Sequence, residues 1–205
     1  DIINHSGKII PTRLENDLLN FDNYGIDDFW VNYHGNPNNK VDYDYNMRLN
    51  IREINISPEQ VNERQIIKEK LIADGKTNLL DDNGKVVKDS LGNAIQIDRM
   101  KTVRCEYYEN KQFKETQIKG KVEYINLKSN QFLDSFTISS KFIFEHVYAT
   151  STGDKRALDE VLLSLLDRRA VPFPSNEQMI YDTGEDLKVK LKNIINSYSF
   201  TKYKI

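Results

Sequence analysis

Apolar and polar residues alternate most cleanly over residues 43–51. There Tyr43, Tyr45, Met47, Leu49 and Ile51 are interleaved with Asp44, Asn46, Arg48 and Asn50. A period of two is the signature of a strand with one buried and one wetted face. After Ile51 the phase slips, because Ile54 and Ile56 carry the next apolar positions, and a bulge near Glu53 is expected. Residues 101–108 alternate again through Val103, Cys105 and Tyr107, and residues 116–126 through Ile118, Val122 and Tyr124. A turn at 127–130 (Leu-Lys-Ser-Asn) returns the chain through Phe136 and Ile138, and Phe142, Phe144 and Val147 extend that strand. These segments predict an antiparallel meander that joins the tyrosine-bearing strand in one sheet.

The remaining apolar residues follow a helical period. Ile2 and Ile3 read as the end of a strand, and a turn at 4–7 leads to Pro11, after which Leu14 and Leu18 stand one helical turn apart. A second short helix is expected over 27–33, with Phe29 and Trp30 packed inward, followed by a loop at 35–39. Leu158, Val161, Leu162, Leu165 and Leu166 predict a helix over 157–166. A capping-box pattern at 175–178 opens a last helix with Leu187, Leu191, Ile194, Ile195 and Tyr198 on one stripe. Gly184 interrupts that helix. It is expected either to divide it in two or to let it approach the sheet closely.

Residues 57–74 satisfy both periods badly. Pro58 suits a first helical turn and Ile67 and Leu71 are spaced by four, yet the segment is heavily charged and equally fits an exposed hairpin arm. Residues 81–88 and 89–96 repeat one pattern, with Asp81 and Asp89 each followed three residues later by a glycine. The spacing fails for a calcium loop and predicts two consecutive tight turns. The fold class that follows is α+β: a mixed, mainly antiparallel sheet with helices packed on one face. One domain is expected over 1–205, with an inserted arm at about 57–99.

Composition narrows the function classes. The chain has 205 residues, 39% hydrophobic and 29% charged, which suits a globular domain. Its 29 basic and 31 acidic residues are well mixed, which argues against nucleic acid or an anionic membrane as partner. Cys105 is the single cysteine, so neither an internal disulfide nor a four-cysteine zinc site can form. The chain opens on Asp1 followed by two isoleucines, as though inside a strand, and is expected to be part of a longer protein.

Several stretches suggest chemistry. Residues 149–158 (ATSTGDKRAL) place Gly153 before Lys155, but a phosphate loop needs further glycines and a Ser or Thr after the lysine, where Arg156 stands. Asp154 is expected to cap a helix instead. Cys105 with His146 would make a nucleophile and base for a hydrolase, although Cys105 alternates with Val103 and Tyr107 as a buried thiol would. His5 and His34 have no partner at metal-ligand spacing, and Asp42, Asp44 and Asn46 read as a solvated strand face. No metal, cofactor or catalytic residue is assigned. Trp30, Tyr107 and Tyr108 are the candidate partner-binding residues, with a small-ligand or glycan site on Trp30 and the tyrosines as an alternative.

Asn4 with Ile10-Pro11, the DDFW of 27–30, the YDYN of 43–46 and the ISPE of 56–59 together resemble a group of uncharacterised cell-envelope proteins of Bacteroidota. So do the DSLGN of 89–93, the FEH of 144–146, the GDKRAL of 153–158 and the FPSNEQM of 173–179. The order of elements is more loosely similar to the domain of curli secretion channel subunits and the amino-terminal domain of the Tol-system translocation protein. The 57–99 insertion and the lack of a transmembrane hairpin pattern depart from those and argue against pore formation. The resemblance implies export, a lipid anchor outside this chain as the sole link to the membrane, and a periplasmic or outer-membrane location. A fold signal over the full length with no catalytic constellation leads to the expectation of a non-catalytic envelope module that binds a protein or a peptidoglycan-associated partner.

Overall fold

A computed structural model of the chain describes residues 1–21 and 31–198. The helix expected over 27–33, with Phe29 and Trp30, therefore lies outside the described residues except for 31–33, which form no regular element. The elements are β1 (Ile2–Asn4), α1 (Thr12–Leu19), β2 (Tyr45–Ile56), β3 (Gln60–Asn78), β4 (Gln96–Asn126), β5 (Gln131–Gly153), α2 (Glu160–Leu166) and α3 (Asn176–Ser197). The five strands make a mixed, mostly antiparallel sheet in the order β1-β2-β4-β3, with β5 also pairing β4, and with the helices this is an α+β fold.

The chain divides into two compact units. The first holds Asp1–Glu59, Phe113–Glu145 and Pro172–Ile205; the second holds Gln60–Gln112 and His146–Val171. Of the segment 57–74, open between helix and strand in the sequence, residues 60–74 belong to strand β3.

In the first unit β1 runs parallel to β2, with Ile2 opposite Leu49, and β2 runs antiparallel to β4. The register shifts between Ile51 and Glu53, where the slip in hydrophobic phase places a bulge. Leu49, Ile51 and Ile54 of β2 and Ile118, Val122 and Tyr124 of β4 meet Leu14 and Leu18 of α1 and Ile180, Leu187, Leu191 and Ile195 of α3. Tyr45 packs against the edge of this core. Each such side chain contributes about 1.5–3 kcal/mol on burial. The sheet and α3 thus share one apolar interior. Tyr124 stacks on Tyr198, with ring centroids 3.9 Å apart and planes 2° from parallel, and Phe136 meets both rings edge-on. Burial pushes the Tyr124 phenol well above its ordinary value. Ser175 caps α3 by accepting from Gln178 N at 3.1 Å; the Gln178 side chain turns away to donate to Asp182, so only half of the expected capping box forms.

In the second unit Val103, Cys105 and Tyr107 of β4 are buried with Ala149, Ala157 and Leu158, and Ile66, Ile72, Leu162, Leu165 and Leu166 pack against them. The expected helix over 157–166 is shorter. A 3-10 turn, Lys155–Ala157, precedes α2, which starts under its own N-cap, Asp159, accepting from Leu162 N at 3.0 Å. Val161 lies outside the apolar stripe at 73% exposure.

Residues 101–108 and 116–126 belong to one strand, β4, whose connecting stretch buries polar side chains. In the second unit Gln112 exchanges two hydrogen bonds with the Val171 backbone, at 2.8 and 3.1 Å. In the first, Lys114 is 3% exposed and donates to Glu59 Oε1 at 3.1 Å and Pro174 O at 2.8 Å. Gln112 and Lys114 are thus both tied to partners, which offsets their desolvation.

Between β3 and β4 the repeated octets form the expected tight turns. Asp81 Oδ1 accepts from Asn83 N and Lys85 N, and Asp89 Oδ1 accepts from Leu91 N and Asn93 N, all at 2.8–2.9 Å. Gly84 and Gly92 sit at φ of 76° and 86°, where an L side chain is strained. Leu79, Val87 and Ile95, eight residues apart, close a ring of backbone hydrogen bonds: Val87 N to Leu79 O, Ile95 N to Val87 O and Leu79 N to Ile95 O.

Candidate interaction face

Strand alternation gives the second unit a covered and an open side. The Val103, Cys105 and Tyr107 side faces the core, so Arg104, Glu106 and Tyr108 project from the opposite side of β4. Their contacts identify the matching side of β3. Gln65 Nε2 donates to the Tyr108 hydroxyl at 3.2 Å, and Arg104 Nη1 lies 3.9 Å from Glu69 Oε1. These contacts step in opposite directions along the two strands, which is antiparallel pairing. Val61, Ile67 and Leu71 share the side of Gln65 and Glu69 and are 53%, 51% and 58% exposed; Met100 shares the side of Arg104 and is 52% exposed. Apolar side chains are therefore presented to solvent beside a polar ladder.

The ladder fixes Tyr108. Its hydroxyl accepts from Gln65 and donates to Glu106 Oε2 at 3.1 Å, while Glu106 Oε1 accepts from Arg104 Nη2 at 3.3 Å. The hydrogen bond to Glu106 raises the phenol above its ordinary value, with desolvation and the charges of Glu106 and Glu63 adding to it. The hydroxyl therefore stays protonated and remains a donor to Glu106. A tyrosine anchored in this way loses little conformational entropy when it contacts a partner.

The other candidates fall elsewhere. Tyr107, next in sequence, is fully buried, and its hydroxyl donates to Leu162 O at 3.2 Å. It is a core residue with no surface to offer a partner, because one step along a strand reverses the face. Burial raises its phenol, helped by Glu109 and Asp159. Trp30 lies outside the described residues. Cys105 is fully buried, with its thiol 3.9 Å from Glu106 O. His146 donates from Nε2 to Arg169 O at 2.8 Å and stacks on Tyr148. Neither side chain is a hydrogen-bond partner of the other.

Asp154 caps the 3-10 turn by accepting from Arg156 N at 3.0 Å, and Arg156 Nη2 grips the same carboxylate at 2.6 Å. The stretch 149–158 thus satisfies its own donors instead of presenting them to an anion. Of the side chains on this face the sequence singles out Tyr108, while Gln65, Ile67, Leu71 and Glu106 join it only through strand pairing. The signal was the parity of the two isoleucine and leucine positions, which becomes readable once 57–74 is a strand.

The class defined by these features is an α+β protein with one side of a sheet open. Comparison with protein-family models, curated proteins and solved structures gave no match to this chain.

Proposed function

We propose that the chain is a non-catalytic cell-envelope module that binds a protein or peptidoglycan-associated partner, and that the open face of the second unit is its contact surface. One observation carries the reading: Val61, Ile67, Leu71 and Met100 are each more than half exposed on the side of the sheet that also holds the anchored Tyr108. Exposed apolar side chains gathered on one side around a rigid aromatic are the usual makings of a binding surface. The envelope setting is supported by the motif resemblance along the chain. A cysteine hydrolase is disfavoured, because the Cys105 thiol is buried and His146 is engaged by a backbone carbonyl.

The test is a photo-crosslinking residue placed singly at 67 and at 71 in the full chain, expressed in its native cells. Controls are Val161 and Val189, 73% and 57% exposed on α2 and α3. Adducts are expected at 67 and 71 and not at the controls. Adducts at all four positions alike, or none at 67 and 71, would overturn the reading.

A further inference from the structure

We infer that the open face of the second unit selects a cationic, apolar-flanked extended segment; this rests on the docking role proposed for that face. The argument is the sorting of charge across the strands. On β3, Glu63 and Glu69 share the open side with Val61, Ile67 and Leu71, whereas Arg64, Lys68 and Lys70 alternate onto the covered side. Lys68 there meets Asp159 at 3.8 Å. On β4, Arg99 and Lys101 also fall on the covered side, Arg99 pairing with Asp74 at 3.3 Å. Of the β3 and β4 side chains on the open side, Glu63, Glu69, Asp98 and Glu106 thus stand against one guanidinium, Arg104.

Arg104 divides itself between Glu69 and Glu106, at 3.9 and 3.3 Å. Glu63 has no ion pair among the described residues, yet its charge is felt at the Tyr108 hydroxyl. A lysine or arginine arriving beside Tyr108 would meet two carboxylates, Glu63 and Glu106, and an aromatic ring whose hydroxyl is already held. Apolar residues of the same segment would cover Ile67 and Leu71. Val61 and Leu71 lie about 33 Å apart along an extended strand, so the surface is a long track suited to an extended chain. The same negative field repels anionic lipid and nucleic acid.

The experiment is fluorescence anisotropy with the full chain and two labelled short peptides, one alternating lysine with valine and one alternating glutamate with valine. The lysine probe is expected to bind saturably and the glutamate probe not to bind. The pair E63Q/E106Q is expected to weaken the lysine probe about tenfold, and added salt to weaken it further. A control pair in the same unit, D82N/E160Q, removes the same charge from the 81–88 turn and from α2 on the covered side and is expected to leave binding within about twofold. An unchanged melting temperature in E63Q/E106Q shows that the variant folds. Equal loss in both pairs, or equal binding of both probes, would overturn the inference. If crosslinks form at 67 and 71 while probe sign is irrelevant, the cationic selectivity falls and the docking face stands. Absence of both crosslinks and probe binding removes the docking face as well.

Discussion

Gly184 of α3 turns a bare Cα toward Leu14 of α1: a Cβ there would stand 2.8 Å from Leu14 Cγ and closer still to both of its methyl carbons. The sequence suggests that this glycine divides the helix or brings it close to the sheet. The helix is continuous, and the close approach is to α1. Both residues are buried in the first unit.

Gly184→Ala is therefore expected to destabilise the protein. Alanine gains about 1 kcal/mol in helix propensity, but forcing a methyl into packed Leu14 costs about 1–3 kcal/mol. Urea unfolding should show a net loss for G184A. The double variant L14A/G184A should lose less than the sum of the two single changes, because truncating Leu14 makes room for the methyl.

Asp154 gives a pH test. The hydrogen bonds from the Arg156 guanidinium and then from Arg156 N hold its carboxyl at about 2, below the ordinary 3.8. A folded-state value below the unfolded one means the ionised form stabilises the fold. That contribution is complete above the unfolded-state value and is lost as pH falls through about 2. Asp154→Asn should lower the melting temperature at neutral pH, and the difference from wild type should vanish at the acid end of a thermal-melt series. A difference constant with pH would contradict this.

Cys105 should behave as a core residue. An aromatic disulfide reagent is expected to label it only as fast as the second unit opens, with the rate rising steeply through the urea transition. Cys105→Ala should cost about 1–2 kcal/mol through the cavity it leaves. Rapid labelling of native protein would contradict its burial.

The segments legible in the sequence are those whose buried positions are mainly apolar, namely β2 with its bulge near Glu53, α1 and the stripe of α3, while the exposed 127–130 turn is legible from its own residues. β4 reads as two pieces because its middle buries Gln112, Lys114 and Thr116, polar residues that look solvent-facing in the sequence. β3 was ambiguous because one side is open and the other is covered only around Ile66 and Ile72, leaving a thin pattern with either period. The candidate face was half visible. Tyr108 stood out as an aromatic, but Gln65 and Glu106 gained meaning only through strand pairing.

The local periods, the turns and the caps follow from the chain's residues alone, because hydrophobic spacing and the geometry of Asp, Ser and Gly act within a few residues of one another. That Tyr107 is enclosed while Tyr108 is presented, and that Glu63 and Glu69 of β3 lie on the open side, follows from long-range packing. Alternation places neighbours on opposite faces, but which face is covered depends on where α2 and the 3-10 turn pack, and that is fixed by contacts far apart in the chain.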